Sequence, residues 1–327
     1  MIPIALALGD PNGIGPEIAV KAANATAGQN VTPILVGDAH VIDAYAARLA
    51  PHMSRHDVTH AEPASGALNI FPVAGLPPQD FSPGKIDPAA GRATVAYVEA
   101  AVGLARAGRV RAIVACPHSE TAINAAGIPF RGYPSLLARL LGMPEDSIYL
   151  LLNGSGLRIL HVTLHERLAD ALARLTSERI EEASRALVRA LIALGIARPR
   201  IGLFGINPHA GEGGLFGDDD RRIVEPAAAR LREAGFVVEG PLGADLLLAR
   251  RDLDGYVAMY HDQGHIPIKL LAPRGAAALS VGGDVVFSSV GHGSAFDIAG
   301  QDIADPAAVI AALRLVAGEN GKADART

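Results

Sequence analysis

Apolar residues along this chain fall in short runs that alternate with stretches of helical period. Ile2–Leu8 is such a run, closed by Gly9-Asp10-Pro11, and Ile18–Asn24 after it carries a helical pattern with Pro16 near its first turn. Thr32–Gly37 reads as a second strand and about Ala39 to Leu49 as a second helix. Residues 51–90 are loop-rich, the pattern from Pro88 to Ala107 is helical, and Arg109–Cys116 returns to a strand. Repeated strand-then-helix alternation predicts a mostly parallel, doubly wound α/β architecture.

Farther along, the pattern changes. After a helical start at Thr121–Ala126 and a helix over Ser135–Leu141, the runs Ser147–Asn153 and Leu157–Thr163 flank Gly154-Ser155-Gly156. Two strand-like runs around a short glycine turn predict a β-hairpin, hence a second lobe with mixed strands. Helices are expected over Ser177–Gly195 and Asp220–Ala234, strands over Arg200–Ile206, Phe236–Glu239 and Gly255–Tyr260. Short strands at 277–281 and 285–287 and a closing helix from Pro306 to Gly318 complete the reading. A length of 327 residues suits two α/β lobes, because single cores rarely grow far past about 250–300 residues.

Composition sharpens this picture. Half of the residues are hydrophobic but only 4% are aromatic and none is Trp, so the core is built from Ala, Leu, Val and Ile, which suits helices packed on parallel strands. A net charge of −5 offers no general attraction for nucleic acid or an anionic membrane, which leaves a small molecule as the expected partner. The single cysteine, Cys116, has no intramolecular disulfide partner and reads as a small hydrophobe at a strand end. The first residues lack the basic region of a signal peptide and no apolar run reaches 18 residues, so a cytoplasmic location is expected.

Chemistry concentrates after strands. His261 opens a stretch, through Lys269, that holds two histidines, an aspartate, a glutamine and a lysine directly after the run ending at Tyr260. His165 and His209 likewise follow strand-like runs, whereas His161 lies within one and reads as packed. No local ligand motif joins His165, His209 and His261, so their meeting is a tertiary expectation. Three neutral imidazoles suit Zn, Co, Ni, Fe or Mn better than Mg. Asp245, Asp262 and Lys269 are candidates for proton transfer and carboxylate binding. A Rossmann phosphate loop is disfavoured, because Gly13-Ile14-Gly15 is followed by Pro16, Glu17 and Ile18 and the third glycine is missing. His52, His56 and His60 read as solvated.

Gly9-Asp10-Pro11-Asn12-Gly13-Ile14-Gly15-Pro16-Glu17, Asn207-Pro208-His209-Ala210-Gly211-Glu212-Gly213-Gly214, Gly243-Ala244-Asp245 and His261-Asp262-Gln263-Gly264 resemble, in order and spacing over essentially the whole chain, the 4-hydroxythreonine-4-phosphate dehydrogenase family. The resemblance implies an isocitrate/isopropylmalate dehydrogenase-like fold of two α/β domains with a cleft between them. It assigns 1–116 with 274–327 to the nucleotide side and 117–273 to the metal site and dimer interface. It also implies a homodimer with active sites at the interface, a divalent metal held by His165, His209 and His261, a substrate-binding Lys269, and NAD(P)-dependent oxidation followed by decarboxylation. Gly291–Gly300 looks like the nucleotide segment of isopropylmalate dehydrogenases, implying contacts from His292, Gly293, Ser294 and Asp297. A carboxylate there would repel a 2′-phosphate, which favours NAD over NADP.

Departures from the phosphate-using members redirect the substrate expectation. Gly132-Tyr133-Pro134-Ser135 stands where they carry Gly-His-Thr-Glu, and Ala278 and Phe287 stand for a substrate-binding asparagine and arginine. His265 is matched there by an apolar residue. These features are similar to the terephthalate cis-dihydrodiol dehydrogenase branch, which implies aromatic compound catabolism: NAD-linked oxidation of a cis-dihydrodiol dicarboxylate to protocatechuate and CO₂. His118, Ser119, Tyr133, Phe287 and Lys269 become the expected substrate contacts, with the base drawn from Asp262, Asp245 or Lys269. The rival expectations are a hydroxy-acid phosphate dehydrogenase and a ligand-binding protein that kept the fold without turnover.

Overall fold

The computed structural model describes residues 1–272 and 276–318, so the ends of the expected 274–327 segment lie outside the described residues. The chain opens with strand β1 (Ile2–Ala7), helix α1 (Gly15–Ala25), β2 (Val31–Gly37), α2 (Ala39–Leu49), β3 (Arg55–Asp57) and β4 (Leu68–Pro72). Helix α3 (Pro88–Arg106), β5 (Ala112–Ala115), α4 (Glu120–Ala125) and α5 (Tyr133–Leu141) follow. Next come β6 (Tyr149–Gly154), β7 (Leu157–His161), α6 (Leu168–Ala173), α7 (Ser177–Ala193), β8 (Arg200–Phe204) and α8 (Glu225–Glu233). The chain continues through β9 (Val237–Leu242), α9 (Ala244–Arg250), β10 (Gly255–Ala258), α10 (His261–Leu271), β11 (Ala277–Val281), β12 (Phe287–Val290) and α11 (Ala307–Ala317).

Two compact units result, one formed by Met1–Leu136 with the segment from Asp284 onward, the other by Leu137–Gly283. In the first, strands run in the order β3-β4-β2-β1-β5-β12, every pair parallel. Strand β2 is buried along its whole length, and Ile4, Ala5 and Leu6 of β1 are fully buried. This agrees with continuous apolar runs rather than alternation, as expected for parallel strands covered on both faces. Strands β3 and β4 are a correction to the loop-rich reading of 51–90: β3 is three residues long, with Arg55 and Asp57 exposed, and so short and polar an edge strand gives no periodic signal.

In the second unit the order is β11-β6-β7-β10-β8-β9. The hairpin is present: β6 and β7 pair antiparallel, with Leu150 opposite His161 and Gly154 opposite Leu157. Strands β7, β10, β8 and β9 are then parallel neighbours. Leu152, Ile159, Phe204 and Tyr256 from this sheet pack with Leu247 of α9 and Ile268 of α10 in one core.

The unit boundaries differ from the expected ones. Residues 117–136 belong with the first unit and 276–283 with the second. The reason is packing: α4 lies so close on α3 that a Cβ on Gly91 would stand 2.3 Å from the backbone oxygen of Ala122, and β11 pairs antiparallel with β6. A methyl group at Gly91 has no room unless the helices separate. Gly91→Ala is therefore expected to lower stability by about 1–3 kcal/mol, seen as a lower denaturation midpoint with an unchanged denaturant slope.

Candidate active site

Because β7, β10 and β8 are adjacent and parallel, their carboxyl ends emerge on one edge of the second unit, where open α/β sheets carry ligands. His165 follows β7, His261 follows β10 and His209 follows β8. Buried and partly buried side chains tie these ends together. Thr163 donates its hydroxyl to the Met259 carbonyl at 2.8 Å. Gln263 accepts from Met259 N at 2.7 Å and donates to the Gly205 carbonyl at 2.7 Å, bridging the ends of β10 and β8. Asp220, 1% exposed, accepts from the backbone N–H groups of Ile206 and Asn207 at 2.7 and 3.0 Å and so pins the start of the His209 loop.

The stretch 261–271 is a helix, α10, which Gly264 and an internal Pro267 obscure in the sequence. Gly264 and Ile268 face the core. Asp262, Ile266 and Leu270 are exposed. His261, His265 and Lys269, spaced four apart, share a third, partly buried face. That period was the signal by which the helix was readable.

His165 and His261 stand side by side, ring centres 5.2 Å apart, on a pocket of about 270 Å³ lined also by Leu164, Leu168, Tyr260 and Asp262. The Nδ1 of His261 lies 2.6 Å from a carboxylate oxygen of Asp262. With Nδ1 held as the donor, Nε2 is left with its lone pair, the usual arrangement of a metal-bound imidazole. His209 has the same arrangement, its Nδ1 2.8 Å from Glu212.

His209 does not join the other two. Among the described residues no group of three His, Cys, Asp or Glu side chains is placed to hold a metal. Residues 209–213 run through five successive positive φ values, 51°, 54°, 83°, 43° and 65°, a left-handed turn that His209, Ala210 and Glu212 adopt at a cost, and the His209 side chain is 69% exposed. The donor chemistry of His165, His261 and His209 nonetheless fits a divalent ion: two of them adjacent, two with carboxylates on Nδ1, all neutral-imidazole ligands.

Among the remaining expected residues, Asp262 is engaged by His261 through one carboxylate oxygen. Lys269 is partly buried near His265, and Asp245 opens α9 in its first turn. In the first unit, His118 packs edge-on against Phe130 and Tyr133, ring centres 4.8 and 4.4 Å away. Tyr133 and Phe287 are 3% and 0% exposed, and the Tyr133 hydroxyl donates to the Cys116 carbonyl at 2.9 Å. Both were expected to touch substrate; instead Tyr133 packs under His118 and Phe287 packs in turn on Tyr133, ring centres 5.0 Å apart. Ser119 is likewise corrected: it is buried and caps α4, accepting from Ala122 N at 3.1 Å. Cys116 is fully buried, and burial pushes its thiol well above the ordinary range.

His292, Gly293 and Asp297 are exposed and open to a ligand. Ser294 is not: it is 5% exposed and lies against Gly13, where a Cβ would stand 2.7 Å from its own Cβ. Beside it Asp10 is fully buried, one carboxylate oxygen accepting from Asn12 N at 2.9 Å and the other without a partner among the described residues. Burial raises its pKa to about 6.

Against this geometry, the model of the family "Pyridoxal phosphate biosynthetic protein PdxA" matches residues 29–316. The chain belongs to the PdxA family. A relative from Comamonas sp., named 1,2-dihydroxy-3,5-cyclohexadiene-1,4-dicarboxylate dehydrogenase, is 49% identical over 97% of this chain and 98% of its own length. The crystal structure of a terephthalate 1,2-cis-dihydrodiol dehydrogenase from Burkholderia xenovorans LB400 is 56% identical, covers 97% of this chain and 98% of its own, and superposes with a TM-score of 0.78. A 4-hydroxythreonine-4-phosphate dehydrogenase from Klebsiella pneumoniae is 34% identical, with 97% and 99% coverage and a TM-score of 0.86. The mixed α/β fold is thus that of PdxA-family dehydrogenases, and the protein is a dehydrogenase of this family. Among the described residues no helix is long and apolar enough to cross a membrane.

Two outcomes follow. Gln263→Leu removes both bridges and leaves a backbone N–H and a carbonyl unpaired, so it is expected to cost about 1–3 kcal/mol of stability in denaturant titrations. Asp10 has a folded pKa above its unfolded value, so its contribution is full below the unfolded value of 3.8 and is lost as pH rises through about 6. Relative to Asp10→Asn, the wild type is expected to lose roughly 3 kcal/mol of stability between pH 4 and 7.

Proposed function

We propose that the protein catalyses NAD-dependent oxidative decarboxylation of a cis-dihydrodiol dicarboxylate, converting 1,2-dihydroxy-3,5-cyclohexadiene-1,4-dicarboxylate to protocatechuate, CO₂ and NADH. The observation that carries this reading is the end-to-end similarity to the Comamonas dehydrogenase named for that substrate. Two features of the chain support it. The pocket beside His165 and His261 has leucines on its wall and exceeds the roughly 150 Å³ in which an apolar cavity accepts benzene. Phe287 and Ala278, buried and apolar, stand where the phosphate-using members carry an arginine and an asparagine, and a phosphate dianion without such donors is poorly paired.

In this reading a divalent metal is held by His165, His261 and His209, with Asp262 and Glu212 fixing two of the imidazoles. A homodimer in which a second copy supplies the third histidine reconciles that ligand set with the adjacency of only two of them in one chain. The ion, when bound, would polarise a substrate hydroxyl and carboxylate. Lys269, as a cation, binds a substrate carboxylate, and Asp245 takes the C2 hydroxyl proton as hydride leaves C2 for NAD. The resulting β-keto acid loses CO₂ from C1, and the electron pair of the broken bond forms the C1–C2 double bond of the enolate. Protonation then gives the aromatic catechol, whose stability draws the sequence forward. Exposed His292 and Asp297 are the groups offered to the adenosine of NAD, and His118 is the remaining candidate for the distal carboxylate.

Purified protein given the dihydrodiol, NAD and a divalent ion is expected to produce NADH and protocatechuate in equal amounts. Chelation of the metal, or His261→Ala, is expected to abolish both products. No NADH from the dihydrodiol, with turnover of a hydroxy-acid phosphate instead, would contradict the substrate assignment and favour the 4-hydroxythreonine-4-phosphate reading.

A further inference from the structure

His161 is fully buried on β7 and belongs to no ligand set. Its Nδ1 lies 3.1 Å from the carbonyl oxygen of Leu150, and its Nε2 lies 3.0 Å from Nδ1 of His265. A carbonyl only accepts, so Nδ1 of His161 carries the proton and donates. A buried imidazole with one proton then has a bare lone pair at Nε2. His265 meets that lone pair with its Nδ1, which must itself be the donor. One backbone carbonyl therefore decides the tautomer of two histidines in series.

The consequence falls on Nε2 of His265. Both hydrogen bonds of the ring use Nδ1 and neither uses Nε2, and with the proton held on Nδ1 it is a hydrogen-bond acceptor only. The ring orientation is also set, because His265 stacks on His261 with centres 3.6 Å apart and planes inclined by 14°. The close approach of α10 to His161 depends on Gly264, where a Cβ would lie 2.4 Å from His161 Nε2. Four residues on, Lys269 supplies a cation on the same helix face.

We propose that His265 is a specificity-determining residue that accepts a hydrogen bond from a neutral hydroxyl of the substrate at Nε2, with His161 as the positioning residue that sets its tautomer. A lone pair at that point welcomes a hydroxyl and repels an unprotonated carboxylate or phosphate oxygen. Anionic groups are left to Lys269. The face of α10 thus reads hydroxyl and carboxylate at separate positions. This inference rests on the dihydrodiol reading for the identity of the hydroxyl, while the tautomer it requires is independent of any substrate.

The test has two arms. In protein labelled with ¹⁵N-histidine, long-range ¹H–¹⁵N spectra, assigned by comparison with His265→Gln, are expected to show a protonated Nδ1 and a bare Nε2 at His265. They are expected to show a mixture of tautomers there in His161→Phe. In the kinetic arm, His265→Leu is expected to raise KM for the dihydrodiol about ten- to a hundredfold, with a smaller change in kcat and none in KM for NAD. His265→Gln, whose amide oxygen reaches the same region, is expected to recover most of the loss. A proton on Nε2 of His265, or a KM in His265→Leu equal to that of the wild type, overturns the proposal. Wild-type protein that leaves the dihydrodiol untouched while the spectra show the bare Nε2 rejects the substrate reading and retains the tautomer lock.

Discussion

Everything functional in the second unit depends on the parallel adjacency of β7, β10 and β8. Their shared direction puts three strand exits on one edge, and the hydrogen bonds of Thr163, Gln263 and Asp220 hold those exits in register. Each bond satisfies a backbone group that a strand end would otherwise leave unpaired in a largely buried place, where an unmade hydrogen bond costs about 1–3 kcal/mol. The polar groups that keep the edge intact are thus the ones that aim the site. A pair of adjacent imidazoles, a cationic lysine and a leucine-walled pocket are then properties of a rigid edge rather than of a loose loop.

Much of this was legible in the residues. Continuous apolar runs marked the parallel strands, the glycine turn at 154–156 marked the hairpin, and His161 inside its strand was expected to be packed. Other parts were hidden for physical reasons. Helix α10 carries Gly264, which its close approach to His161 demands, and Pro267, so helical propensity argues against the helix that tertiary packing enforces. Tyr133 and Phe287 looked like pocket walls because aromatic residues stand where relatives bind substrate, yet packing buries both, Tyr133 against His118 and Phe287 against Tyr133. The left-handed run at 209–213 is likewise invisible to pattern reading, since His209, Ala210 and Glu212 have no propensity for it.

Membership of the PdxA family explains why the glycine-rich loops fail the Rossmann pattern without weakening the case for a dehydrogenase. It also frames where substrate choice resides. In the proposed reading the histidines at 165, 209 and 261 serve the chemistry, whereas His265, stacked on His261 and locked by His161, distinguishes the surroundings of that chemistry. The separation between a retained centre and altered surroundings is how one fold changes substrate without changing reaction type.

In the function proposed above, the carboxyl edge of β7, β10 and β8 holds a divalent ion and a second copy of the chain completes the site. Anomalous diffraction from crystals grown with Co²⁺ tests it most directly. A cobalt peak is expected at about 2.0–2.2 Å from Nε2 of His165 and of His261, with His209 of a neighbouring subunit as the third ligand. A peak elsewhere, or a histidine edge with no cobalt on it, would rule out a metal site at these strand ends.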